Sequence, residues 1–239
     1  MPISRASLGG LISQSFTAEH THSTMKTPQV PIAKEGYPFI FFVCFVTLIF
    51  AALESTLIAL TGLVISGWVI WFFRDPERFT PEKAHAVVAP ADGKVIVVEQ
   101  LDNEEITGQD AYKISIFMNI FNVHVNRMPF SGTVKKITYT PGKFYSADSD
   151  RGGMYNENCI TIVEGQTGVK LAFVQVAGLV ARRIVNLLEP GDTPAKGERI
   201  GIIRFGSRVD IYVTAESSIA VEVGQKVRAG ETILGYLDA

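Results

Sequence analysis

Thirty-six consecutive residues, 38–73, carry a single charge, Glu54, and 27 of them are apolar, including seven of the chain's fifteen Phe. A run this long and this greasy must sit in a membrane or form a wholly buried core hairpin. It exceeds the roughly 17 to 25 residues that cross a bilayer as one helix, and it divides at Leu53-Glu54-Ser55 into pieces of about 15 and 18 residues. Two short helices in a hairpin are therefore expected, with a single span over 56–73 as the alternative. Lys26 and Lys34 precede the run, Arg74, Arg78 and Lys83 follow it, and the tip has no Lys or Arg. By the positive-inside rule both flanks then face the cytoplasm.

Around this segment the chain is ordinary. Residues 1–37 are rich in Ser and Thr, broken by Gly9-Gly10, Pro28, Pro31 and Gly36, and read as a mobile tail. The 22 basic and 24 acidic residues leave a net charge of −2, which argues against a dedicated nucleic-acid binder. Cys44 and Cys159 have neither metal-ligand nor redox spacing.

From residue 74 to 239 short β-type runs alternate with Gly, Pro and Asp. Strands are expected at 87–88, 95–98, 113–118, 133–139, 159–163, 169–174, 199–204, 209–213 and 219–223. One helix is expected, over 178–188. A repeat adds detail: Gly191-x5-Gly197-Glu198-Arg-Ile200 recurs 33 positions later as Gly224-x5-Gly230-Glu231-Thr-Ile233. The pattern resembles the paired hammerhead turns of lipoyl- and biotinyl-type folds, so the expected fold is mainly β, a barrel-sandwich hybrid preceded by an apolar helical hairpin. Lys226, in the second turn, lacks the flanks of a lipoyl or biotinyl acceptor.

No metal-ligand spacing, Gly-rich phosphate loop or nucleophile elbow is present in the sequence. Gly206-Ser207 lies between two apolar β runs. It reads either as a hairpin turn or as a reactive peptide, in which the Ser hydroxyl attacks the preceding carbonyl and Gly leaves the approach open. Asp92-Gly93 after Pro90 reads as a turn or as a source of a working carboxylate. In Phe121-Asn-Val-His-Val-Asn-Arg127, alternation puts Asn122, His124 and Asn126 on one strand face, solvated or functional.

Taken together, 72–78 (FFRDPER), 89–95 (APADGKV), 121–129 (FNVHVNRMP), 175–183 (QVAGLVARR) and 204–210 (RFGSRVD) resemble, in order and spacing, the phosphatidylserine decarboxylase proenzymes of the short bacterial and archaeal type. The resemblance covers residue 38 to the C-terminus. It implies self-cleavage between Gly206 and Ser207 into chains 1–206 and 207–239, held together as a heterodimer, with Ser207 converted to a covalent pyruvoyl cofactor. The pyruvoyl group would form a Schiff base with phosphatidylserine, releasing CO2 and phosphatidylethanolamine at the cell membrane, with the catalytic domain cytoplasmic.

The resemblance also implies catalytic roles for Ser207, Gly206, His124 and Asp92, with Asp92 orienting a His124 that takes the Ser proton, by the logic of a serine triad. Many family members carry a second His where this chain has Arg127. Either His124 serves both cleavage and decarboxylation, or Arg127 binds substrate carboxylate or phosphate while another group is the base; a shared role for His124 is expected. Arg74 and Arg78 are expected as headgroup-level anchors, Arg182 and Arg183 as a solvated face or lipid-phosphate ligands, and Asn156-Glu157-Asn158 as a site segment or a polar turn. Two rival readings are a non-catalytic membrane adaptor, which leaves the ordered Asp92, His124 and Gly206-Ser207 set unexplained, and a pyruvoyl decarboxylase of a soluble amino acid, which leaves the apolar hairpin unexplained.

Overall fold

Two apolar helices, α1 (Tyr37–Ala52) and α2 (Thr56–Phe72), form an antiparallel hairpin that reverses at Leu53-Glu54-Ser55. The computed structural model describes residues 31–165, 168–179, 183–204 and 206–238. Glu54 makes the reversal in a left-handed conformation, φ 56°. The helices touch through small residues: Thr47 Oγ1 lies 3.3 Å from Ser66 Oγ, and a Cβ on Gly62 would meet Thr47 at 2.5 Å. The outward side chains are bare, with Phe41 73% and Leu57 79% exposed. A buried core hairpin is thereby excluded. With the 3-10 turn before it, α1 spans Lys34–Ala52 and is long and apolar enough to cross a membrane; α2 is equally apolar and slightly shorter.

Of the tail expected over 1–37, residues 1–30 lie outside the described residues. Its last part is not loose: Ile32 bridges Arg74, and the Ala33 N–H donates to the Phe73 carbonyl. The helix boundary therefore falls at Tyr37, inside a segment tied down by the end of the hairpin.

The rest is mainly β. A seven-stranded antiparallel sheet has the order β12-β2-β3-β10-β7-β6-β5, formed by β2 (Gly93–Glu104), β3 (Gln109–Met118), β5 (Thr133–Thr140), β6 (Asn158–Glu164), β7 (Lys170–Ala177), β10 (Ser207–Thr214) and β12 (Lys226–Val227). Two three-stranded sheets complete the domain: β1-β13-β11, from β1 (Ala86–Val88), β11 (Ser218–Ile219) and β13 (Ile233–Tyr236), and β4-β9-β8, from β4 (Val125–Arg127), β8 (Ile184–Asn186) and β9 (Arg199–Ile203). The main core, including Ile114, Ile116, Met128, Phe173, Ile200 and Ile211, fills the space between the sheets. A second cluster docks the hairpin: Val69, Phe72 and Phe73 pack with Val123, Val125 and Ile202.

One expected element is absent. Residues 184–186 of the helix expected over 178–188 form β8, and 180–182 lie outside the described residues. The apolar spacing there is compatible with a helix, but Ile184–Asn186 bond to β9 in antiparallel register, so tertiary pairing overrides the local period. A six-residue helix, α3 (Asp150–Tyr155), occurs instead, capped by Ser149 Oγ accepting the Gly152 N–H.

The 33-residue repeat is visible in the backbone. Gly191 and Gly197 have φ 100° and 84°, and Gly224 and Gly230 have 99° and 73°, conformations that favour glycine. Gly191 and Gly224 donate to the Val134 and Val95 carbonyls; Gly197 and Gly230 donate to those of Met128 and Ala89. The acceptors form a second repeat, 39 positions apart: Ala89-Pro-Ala-Asp-Gly-Lys-Val95 and Met128-Pro-Phe-Ser-Gly-Thr-Val134. The two copies exchange bonds, Val88 N–H to Pro129 O and Arg127 N–H to Pro90 O. Approximate two-fold symmetry of paired hammerheads follows.

Candidate active site

β10 runs through the middle of the large sheet, and Ser207 is its first residue, opposite Met118 on β3 and Ala177 on β7. Ser207 is fully buried. Gly206 has a left-handed conformation at φ 66°. The Gly206-Ser207 peptide thus stands at the mouth of the central strand, where the docked end of α2 and the segment before β4 converge on it.

His124 comes from that segment and is fully buried. Its Nδ1 lies 3.0 Å from the Asn122 carbonyl. A carbonyl can only accept, so Nδ1 carries the proton and Nε2 presents its lone pair. The Gly206 N–H donates to that Nε2 at 3.4 Å. The ring lies against Phe72, with 4.4 Å between centroids. Burial pushes the His124 pKa down to about 4; the Asn122 carbonyl opposes the shift, and the Arg74 charge adds to it. At neutral pH the imidazole is a neutral acceptor bonded to the Gly206 N–H, one residue before Ser207.

Around this pair lies a small buried polar cluster. Ser207 Oγ is 3.9 Å from Met118 Sδ, a weak partner that leaves the hydroxyl free to turn. Asn126 Nδ2 reaches the same sulfur at 3.8 Å, and Asn126 Oδ1 accepts from Gln175 Nε2 at 2.9 Å. Gln175 Oε1 is buried with no partner among the described residues. His124 and Asn126 do share a face towards the site, as alternation predicts. Asn122 does not: it ends a turn in which its side chain accepts the Asn119 N–H, and it serves His124 through its carbonyl.

Gly178 was not legible as a site residue. A Cβ there would stand 1.9 Å from the Gly206 carbonyl oxygen, so the absence of a side chain at 178 is what lets the Gly206 carbonyl occupy its place. Beside it, Asn156 is fully engaged, donating to the carbonyls of Tyr145 and Ala177 and accepting the Tyr145 N–H.

Asp92 is bonded to other groups. Its carboxylate pairs with Arg78 at 2.9 Å and accepts the Ala229 N–H at 2.8 Å. No hydrogen bond or ion pair joins it to His124 among the described residues, and the imidazole Nδ1 is taken by Asn122. The internal symmetry gives the physical reason. Ser131, at the equivalent place in the other copy, accepts the N–H of Lys196, 33 positions before Ala229. Both side chains hold a hammerhead turn, and Asp92 adds a charge for Arg78, which also reaches Glu231 at 3.1 Å.

Arg127 points away from Ser207. It donates to the carbonyls of Gly197 and Pro76 at 3.0 Å and pairs with Asp75 at 3.4 Å. Arg199 Nε reaches the other Asp75 oxygen at 2.5 Å. Alternation along β4 explains this, since 124 and 126 face one way and 127 the other. Arg74 lies 3.8 Å over the Trp71 ring and donates to the carbonyls of Trp71 and Phe121, fastening the end of α2 to the loop that carries His124. Among the described residues no group of three or more His, Cys, Asp or Glu is arranged to hold a metal.

Comparisons with known proteins give the family. A family model described as phosphatidylserine decarboxylase matches residues 65–235. A phosphatidylserine decarboxylase proenzyme of Desulfotalea psychrophila is 56% identical over 213 residues, covering 89% of this chain and all of that protein. Proenzymes of the same description from Magnetococcus marinus and Syntrophus aciditrophicus are 46% and 47% identical, covering 86% and 85% of this chain and 95% and 96% of theirs. The chain belongs to the phosphatidylserine decarboxylase family.

Proposed function

We propose that this chain decarboxylates phosphatidylserine to phosphatidylethanolamine and CO2, after cutting itself between Gly206 and Ser207 and converting Ser207 to a pyruvoyl group. The observation that carries the reading is the neutral His124, its Nδ1 proton fixed by Asn122 and its Nε2 accepting the N–H of Gly206, the residue whose carbonyl Ser207 would attack. The buried Gly-Ser junction, open at Gly206 and free of side-chain obstruction at Gly178, fits the formation of such a group.

In this reading the Ser207 hydroxyl turns from Met118 and attacks the Gly206 carbonyl, and His124 takes its proton. The peptide nitrogen leaves as an amine, and an ester joins Gly206 to Ser207 Oγ. Loss of the Ser207 Cα proton expels the Gly206 carboxylate; water then replaces the nitrogen, which departs as ammonia, leaving the ketone at residue 207. That ketone supplies an electrophile for the substrate amine and a sink for the electrons released with CO2.

His124 remains beside it to return a proton to the substrate carbon, and Phe72 and the docked hairpin keep water out. Asp92 acts as a positioning residue, through Arg78 and the 228–231 turn. A diacyl lipid is nearly absent from water, so the hairpin carries the site to the substrate, inserted in the cell membrane with the domain on the cytoplasmic side. The processed enzyme is a heterodimer of chains 1–206 and 207–239, interleaved because β10 lies between β3 and β7.

The test is conversion of phosphatidylserine in mixed micelles to phosphatidylethanolamine by the purified full chain. Ser207→Ala abolishes conversion; retained conversion in that variant refutes the reading.

A further inference from the structure

The buried Arg127 and Arg208 and the partly buried Arg78 are committed, each paired with a carboxylate. Arg204 differs. Its Nε is buried and finds no hydrogen-bond partner among the described residues, and no ion pair to Arg204 or to the exposed Arg183 occurs among them. Its guanidinium lies 5.1 Å over the ring of Phe39, in the first turn of α1. Arg183 is near enough to act on it electrostatically, and Glu35, also near enough, makes no ion pair with it. Burial and the Arg183 charge both press on the cation, lowering its pKa. A buried Nε with no partner among the described residues, on a half-buried guanidinium beside a second cation, is costly unless an anion completes it.

Two facts indicate which anion. Arg204 sits where the domain meets the apolar hairpin, so its ligand has apolar chains alongside α1 and a charge on the domain side. Arg204 also precedes Ser207 by three residues, which bounds their Cα separation at about 10 Å. The amine and phosphorus of a phosphoserine headgroup are four bonds, roughly 5 Å, apart; the remaining span is within the reach of an extended arginine side chain. A planar guanidinium also suits two phosphate oxygens.

We propose that Arg204, with Arg183 beside it, binds the phosphodiester of the phospholipid headgroup and so sets the amine at residue 207. The proposal rests on the decarboxylase reading and names the group that makes it selective for a phospholipid over free serine. The Gly206 carboxylate released by cleavage is the other anion within reach of Arg204, and the test separates the two.

Uncleaved Ser207→Ala full chain in detergent, which has no Gly206 carboxylate, is titrated with soluble glycerophosphoserine and with serine methyl ester, followed by 31P and 1H NMR. Arg204→Gln in that background weakens glycerophosphoserine binding at least tenfold and leaves the ester unchanged, and Arg204→Lys falls between. In the Ser207 chain, Arg204→Gln completes self-cleavage and raises KM for phosphatidylserine at least tenfold, with kcat within threefold. Unchanged glycerophosphoserine affinity overturns the proposal, as does separation of the two cleaved chains without a change in KM. If the unsubstituted chain makes no phosphatidylethanolamine, the decarboxylase reading fails while the titration still decides Arg204.

Discussion

Gly178→Ala is the sharpest perturbation of the cleavage geometry that leaves its chemical groups untouched. The added Cβ falls 1.9 Å from the Gly206 carbonyl oxygen and 2.9 Å from its carbon, against a practical minimum of 3.0 Å. The obstacle is backbone, so no side-chain rotation relieves it, and the carbonyl must move by about 1 Å. A displacement of that size at a reacting centre costs on the order of 10²-fold in rate, equivalent to about 3 kcal/mol of barrier. Gly165→Ala is the control, because its Cβ meets nothing closer than 3.6 Å among the described residues. Purified variants are sampled over time by intact-mass spectrometry and melted by circular dichroism. Gly178→Ala is expected to slow self-cleavage about a hundredfold, with overpacking lowering stability by roughly 1–3 kcal/mol; Gly165→Ala cleaves normally. Cleavage of Gly178→Ala at the unsubstituted rate would refute the placement of the Gly206 carbonyl against residue 178.

Other expectations follow from single contacts. Because His124 is held neutral down to about pH 4, the self-cleavage rate stays flat as pH falls from 8 to about 5 and drops only near 4; a half-maximal rate at the ordinary histidine value of about 6.5 contradicts the buried imidazole. The same depressed pKa makes His124 contribute to stability above about pH 6.5, and this is lost as pH falls through 4, to a total of about 3 kcal/mol; His124→Gln lacks that part of the acid destabilisation in urea titrations at each pH. Asp75→Asn leaves Arg127 and Arg199 without their shared charge and is expected to cost about 3 kcal/mol, a loss of roughly 6–12 °C in Tm. Asp92→Asn separates positioning from chemistry: cleavage rate and Tm fall together if Asp92 works through the 228–231 turn, whereas lost cleavage at an unchanged Tm places it in the reaction.

The hairpin was legible because 36 residues with one charge admit few structures, and most strands because β-branched runs were bounded by Gly and Pro. β8 was misread since Leu-Val-Ala-Arg-Arg-Ile-Val carries apolar spacing that suits a helix, and only its pairing with β9 decides otherwise. The repeat at 39-residue spacing has little sequence signature because its copies share only Pro, Gly and Val, yet it explains the contacts of Asp92: the carboxylate has a structural twin in Ser131. His124 and Ser207 could be picked out by resemblance, but neither the Asn122 carbonyl behind the imidazole nor the empty space at Gly178 has a side-chain signature. The commitment of Arg127 to Asp75 follows from strand alternation, and its length carries the guanidinium to a distant carboxylate.

The central claim, that His124 and Ser207 open the Gly206-Ser207 peptide from within, is tested most directly by the intact mass of the purified chain. A fragment ending at Gly206 is expected together with a 33-residue fragment one ammonia lighter than simple hydrolysis would give, with only uncut chain from Ser207→Ala. A single full-length mass that persists on incubation, or a small fragment beginning with an unmodified serine, would contradict it.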